Sequence, residues 1–337
     1  MANPILEIDD LCVNIDVPSG VLRAVQNISF TVAKGETLCI VGESGCGKSI
    51  TALSLMNLLP KSAKRSANKL TLDGQDLRDL SEREMSDLRG NRMAMIFQEP
   101  MTSLNPAYTI GNQLEEAMLR HRNVSTAEAR DRALFLLEKV GITAARSRLG
   151  QYPHQLSGGL RQRVMIAMSM MCEPALILAD EPTTALDVTI QAQILHLLAE
   201  LRAEFDSSLI LITHDLGVVA RVADRVAVMY AGQFVETGTT EQVFNAPSHP
   251  YTQGLLRCIP IPGKTKRGAH LGAIPGIVPN LVGNIEGCHF ASRCHYAHDA
   301  CHSGDIALQS SFEKSHEYRC LLTPKVCAAN LKKGVAA

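Results

Sequence analysis

Short apolar runs without alternation punctuate the first two thirds of the chain, at 37–41, 93–97, 176–179 and 209–212. Strands buried on both faces of a parallel sheet read this way, because neither face is left to water. Segments with helical spacing fall between them, for example 49–59 and 189–205. This alternation predicts an α/β domain. Residues 6–13 and 21–32 read instead as antiparallel strands. From 98 to 157 the pattern is mostly helical and clearest over 127–140, which predicts a helical insert at about 99–170. After Phe244 the spacing breaks at Ala246-Pro247-Ser248-His249-Pro250, and Pro260, Pro262, Pro275 and Pro279 follow. The predicted organisation is a domain over 1–245 and a loop-rich extension over 246–337.

Composition narrows the classes. With 46% hydrophobic residues, 4% aromatic and no Trp in 337 residues, the chain is globular with a mostly aliphatic core. A formal net charge of −1 lacks the basic excess of a nucleic-acid binder, so no nucleic-acid partner is expected. The basic cluster 61–65 reads as solvated loop charge. No apolar run nears the ~20 residues that span a bilayer, and Met1-Ala2-Asn3-Pro4 does not open a signal peptide. A cytosolic chain is therefore expected. Disulfides are disfavoured there, which leaves the ten cysteines, five of them within 288–327, in need of another account.

The candidate chemistry starts at Gly42-Glu43-Ser44-Gly45-Cys46-Gly47-Lys48-Ser49, a full G-x-x-x-x-G-K-[ST] between a strand and a helix that Ile50 continues. The glycines let backbone N–H groups turn around phosphate oxygens at the positive end of the helix. Lys48 is placed to reach β- and γ-phosphates and the Ser49 hydroxyl to bind Mg2+. Cys46 sits beside a helix N-terminus, where a thiol pKa tends to be lowered, so alkylation that MgATP blocks is expected. Next, the apolar run Leu176-Ile177-Leu178-Ala179 ends in Asp180-Glu181, which suits a metal ligand followed by a general base. Gln98 and His214 each follow a strand-like run, so four strand ends present polar groups suited to phosphoryl transfer. Finally, Ser157-Gly158-Gly159 opens a helix. Leu160 stands where a Glu or Gln would close a capping box, which leaves the helix end open to an external anion.

These motifs, in this order, resemble those of ABC ATPases. Gly42 to Ser49 is similar to the Walker A loop, Gln98 to the Q-loop and Leu156 to Gln162 to the signature. Residues 176–181 are similar to Walker B with its catalytic Glu, Ala185-Leu186-Asp187 to the D-loop, and His214 to the switch His. The resemblance implies a P-loop NTPase fold with antiparallel β and helical subdomains, two ATP molecules shared between the Walker A of one subunit and the signature of another, and ATP and Mg2+ as cofactors. It implies catalytic roles for Glu181, His214 and Gln98, nucleotide contacts from 42–50, Ser157, Gly158, Gly159 and Asp187, and Mg2+ contacts from Ser49, Gln98 and Asp180. Leu160 departs from the Gln of many members. No aromatic stands at 15–20 to stack on adenine.

A narrower resemblance rests on Phe97-Gln98-Glu99-Pro100-Met101-Thr102-Ser103-Leu104-Asn105-Pro106, residues 179–189, His249-Pro250-Tyr251-Thr252 and Gly287-Cys288-His289-Phe290-Ala291-Ser292-Arg293-Cys294. These look like the dipeptide/oligopeptide and nickel importer ATPases. Implied partners are two integral membrane permease subunits, a second, similar ATPase subunit and an extracytoplasmic binding protein, with this chain peripheral on the cytoplasmic face of the inner membrane. A nickel or other importer, a soluble non-transport ABC ATPase and an ATP-holding module without hydrolysis are the competing readings. Cys288, Cys294, Cys301 and Cys320, spaced C-x5-C-x6-C-x18-C, could hold zinc, an iron–sulfur cluster or nothing. Resemblance to importers that carry a [4Fe–4S] cluster favours that cluster.

Overall fold

The computed structural model describes residues 4–184, 187–259, 273–311, 313 and 315–327. Two compact units interleave along the chain. Met1–Leu6, Thr31–Thr37 and Thr71–Ile212 form the first; Glu7–Phe30, Leu38–Leu70 and Thr213–Ala337 form the second.

The first unit is built on three strands, in the order Ser208–Thr213, Leu176–Asp180, Met93–Ile96, each pair parallel. Every residue of Leu176–Asp180 and Ser208–Thr213 is buried, as unalternating apolar runs require. Beside them the helices Ile110–His121, Thr126–Lys139 and Gly158–Ser169 pack on one another. Thr126–Lys139 starts where Ser125 and Glu128 close a reciprocal capping box. Its fully buried Ala129, Ala133, Leu136 and Leu137 form one helical stripe, and each leucine contributes about 2 kcal/mol by leaving water.

In the second unit Leu6–Val17 and Gly20–Val32 are neighbours joined by two residues, a connection that only antiparallel strands can use. Ala63–Ser66 adds to Leu6–Val17, also antiparallel. This corrects the reading of 61–65 as loop charge. The strand alternates half-buried Ala63 and Arg65 with exposed Lys64 and Ser66, and Arg65 donates to the Ser54 carbonyl at 2.6 Å. Alternation over four residues, two of them charged, is too brief a signal to read as a strand.

Strand Thr37–Val41 runs parallel to Arg225–Tyr230, which pairs antiparallel with Gln233–Thr239. Glu317–Tyr318 and then Gln309–Ser310 extend this sheet, with Tyr318 opposite Glu236. The segment after the proline-rich break is thus tied into the sheet. Fully buried Glu236 accepts the amides of Ser248 and His249 at 2.7 and 2.9 Å and lies 2.7 Å from Nε2 of His316, which meets the cost of burying a carboxylate. Scarce aromatics gather here too: Tyr230, Tyr251 and Phe290 have ring centroids 4.6 to 5.4 Å apart. Among the described residues no helix is long and apolar enough to cross a membrane.

Candidate functional site

The phosphate loop of the second unit follows a strand in which every residue is buried, and leads into helix Lys48–Leu55. Its glycines are sterically required. A Cβ on Gly42 would stand 2.1 Å from the Met229 carbonyl oxygen, and one on Gly47, at φ +101°, would stand 2.4 Å from that of Ala24. Lys48, 4% exposed, donates Nζ to the carbonyls of Gly42 at 2.8 Å and Glu43 at 2.9 Å, so its cation lies against the loop it serves. Ser44 and Gly45 are exposed at the loop's tip, and Ser49 and Ile50 are half-buried on the first helical turn. Cys46 is fully buried, and burial pushes its thiol pKa up. The expectation of a lowered pKa is therefore not met: desolvation of the thiolate outweighs the hydrogen bonds at Ala231 and Tyr251 and the Lys48 cation, which act to lower it.

The first unit gathers Gln98 and Glu181. Gln98 Nε2 donates to Glu181 Oε2 at 3.2 Å, and the Thr184 hydroxyl donates to the same oxygen at 2.9 Å. Glu181 sits at φ +43°, a left-handed conformation uncommon for a residue with a side chain, and its amide continues the ladder to the Ile212 carbonyl at 2.9 Å. Strain at a carboxylate with two side-chain donors is typical of a working group. Asp180, one residue earlier, ends the strand 5% exposed. Thr184 is a residue that spacing had not singled out.

Ser157 caps helix Gly158–Ser169 as expected, its hydroxyl accepting the Leu160 amide at 3.4 Å. A Cβ on Gly158 would meet nothing within 4 Å. Asp187 is the exposed N-cap of helix Val188–Glu204 and makes no side-chain capping bond. In the second unit His214 is exposed just beyond strand Ser208–Thr213, and the next residue, Asp215, caps helix Leu216–Val222.

Cys288, Cys294, Cys301 and Cys320 line one pocket, with Phe290 and Ile306 among its apolar walls. Burial pushes Cys288 up to about 11, Cys320 up to about 12, and Cys294 upward too, while nearby backbone amides oppose the rise at all three. Among the described residues no three His, Cys, Asp or Glu side chains stand in metal-holding geometry. The donor set suits a soft metal or a cluster, and the side chains as placed do not yet converge on one.

Two more residues touch the phosphate loop. Tyr251 accepts the Glu43 amide on its hydroxyl at 2.9 Å, and Arg293 donates to both Glu43 carboxylate oxygens at 2.6 and 3.0 Å. Both lie in motifs quoted above for the importer ATPases, and neither motif by itself assigns them a role.

Residues 25–184 match the ABC transporter family and residues 235–301 the C-terminal region of oligopeptide/dipeptide transporters. The chain is 53% identical over 291 residues to the dipeptide transport ATP-binding protein DppD of Bacillus subtilis, covering 86% of each chain. It is 50% identical over 304 residues to DppD of Escherichia coli, 90% of this chain and 92% of that one. A putative peptide import ATP-binding protein of Brucella melitensis is 48% identical over 335 residues, 96% of this chain and 99% of its own. Among solved structures, the ATP-binding cassette MJ0796 in a dimeric post-hydrolysis state with ADP and Pi is similar. Its TM-score is 0.63 at 26% identity, covering 70% of this chain and 98% of that one.

Proposed function

Because this chain belongs to the family of ATP-binding subunits of dipeptide and oligopeptide ABC transporters, we propose that it hydrolyses ATP to drive peptide import. The observation that carries the assignment of roles is Glu181, held at positive φ with Gln98 and Thr184 donating to one of its oxygens. A carboxylate so oriented is suited to draw a proton from water. Lys48 exchanges its two loop carbonyls for the β- and γ-phosphates, and the 42–50 backbone supplies N–H donors. Ser49, Gln98 and Asp180 are the oxygen donors assigned to Mg2+, which screens phosphate charge. His214 senses the γ-phosphate. Ser157, Gly158, Gly159 and Asp187 serve the nucleotide of a second, similar ATPase subunit. Two permease subunits and an extracytoplasmic peptide-binding protein complete the complex, and the chain sits peripherally on the cytoplasmic face of the inner membrane.

Glu181→Gln in the assembled transporter keeps ATP binding and lowers hydrolysis by about a hundredfold or more, since the amide cannot accept the proton. Steady-state turnover near the wild-type rate would remove Glu181 from this role.

The cysteine pocket supports a second assignment, a [4Fe–4S] cluster on Cys288, Cys294, Cys301 and Cys320. Four thiols line one apolar pocket, and backbone amides lie near the sulfurs of three of them. Anaerobically purified protein is expected to be brown, with about four irons per chain. Colourless protein, with or without stoichiometric zinc, refutes the cluster.

A further inference from the structure

Every polar group of Glu43 is engaged. Its carbonyl accepts from Lys48 at 2.9 Å, its amide donates to the Tyr251 hydroxyl at 2.9 Å, and its carboxylate takes both arms of Arg293. Lys48 belongs to the phosphate loop, as does Cys46, whose amide donates to the same carbonyl at 3.4 Å. The other two arrive from helix Pro250–Arg257 and from the turn between Cys288 and Cys294, more than 200 residues along the chain.

Arg293 is itself fixed. Its side chain is 3% exposed, and it also donates to the carbonyls of Pro275 at 2.8 Å and Ile274 at 3.1 Å and to the Tyr230 hydroxyl at 3.3 Å. The same turn carries Phe290, whose ring packs against Tyr230 and Tyr251. The guanidinium and the tyrosine are therefore both locked by packing before they reach the loop. A bidentate charge-assisted pair with a buried arginine sets orientation as well as energy.

We propose that Arg293 and Tyr251 are positioning residues for ATP: they hold Glu43 so that the phosphate loop keeps its shape when ATP draws Lys48 away. The inference rests on the ATPase assignment and extends it. Lys48 stitches Gly42 and Glu43 together through their carbonyls. Once the ammonium turns to phosphate, the Gly42 carbonyl loses that donor and the Glu43 carbonyl keeps only the longer bond from the Cys46 amide. The contacts on the amide and carboxylate of Glu43 come from the C-terminal segment. That segment, at some distance from the ATP motifs in sequence, thus becomes part of the nucleotide site, and the motif His249-Pro250-Tyr251-Thr252 gains a physical reason: it delivers the Tyr251 hydroxyl.

The test uses the full chain in the assembled transporter, comparing Glu43→Gln, Arg293→Ala and the double variant by KM for ATP, kcat and thermal stability. Each single change is expected to raise KM about tenfold with kcat within about twofold, and the double change to be no worse than either single, because both remove one coupled contact. Tyr251→Phe is expected to raise KM by about threefold, having lost one neutral hydrogen bond. Because Arg293→Ala also removes the donors of the Pro275 and Ile274 carbonyls, Glu43→Gln is the deciding variant. Glu43→Gln, at a side chain 31% exposed, keeps the test open. A folded Glu43→Gln with wild-type KM overturns the proposal, as does a double variant whose effects multiply. Loss of ATP turnover in the wild-type complex would instead strike the ATPase assignment itself.

Discussion

Two glycine-rich turns stand at helix starts in this chain, and they are built on opposite principles. In the phosphate loop the glycines answer to the protein. Gly42 and Gly47 pass so close to the carbonyls of Met229 and Ala24 that any side chain would collide, and Lys48, Tyr251 and Arg293 pin the loop in place. At the start of helix Gly158–Ser169 the glycines answer to nothing nearby. A Cβ on Gly158 would enter open space, and one on Gly159 would make ordinary contact with Ile190 at 3.8 Å. Nothing within the described chain requires Gly158 to be small. One turn is held by its own fold, and the other is left open, as the proposed contact with a second subunit's nucleotide would require.

Substitution separates the two. The larger effect belongs to Gly47→Ala. A side chain at φ +101° facing a backbone oxygen costs about 3 kcal/mol or more, so both thermal stability and ATP binding should drop together. Stability left within about 0.5 kcal/mol would show that the loop yields more than its contacts indicate. Gly158→Ala should behave in reverse. The folded subunit keeps its stability or gains about 0.5 kcal/mol from reduced freedom of the unfolded chain. ATP hydrolysis by the assembled transporter nevertheless falls by about tenfold, the factor for a contact worth ~1.4 kcal/mol. If hydrolysis is unchanged, the open helix end has no phosphate to meet and the contrast between the turns collapses.

The engagement of the loops differs in the same way as their legibility. Local motifs announced the phosphate loop, the acidic strand end and the Ser157 cap, because each depends on neighbours within a few residues. A strand, a glycine turn and a helix start follow from adjacent side chains, and buried parallel strands show themselves by lacking alternation. Element ends shifted slightly, as with helix Thr126–Lys139, one residue earlier than the expected 127–140, where Ser125 and Glu128 decided the start. The Cys46 expectation failed for a non-local reason. Its helix end was visible in sequence, whereas its full burial, which raises the pKa, is a product of the folded chain that local spacing does not show.

Taken alone, the sequence determined the α/β class and the order of the motifs. These are written in short-range patterns whose physics is steric or periodic. The tertiary structure decided what those patterns leave open. It wove the segment beyond Phe244 into a sheet through Glu317–Tyr318, and it buried Glu236 among the amides of Ser248 and His249. It also set Arg293 against Glu43, 250 positions apart, and gathered four cysteines about one pocket. Charge pairing and burial over such separations depend on the path of the whole chain, and no local spacing encodes that path.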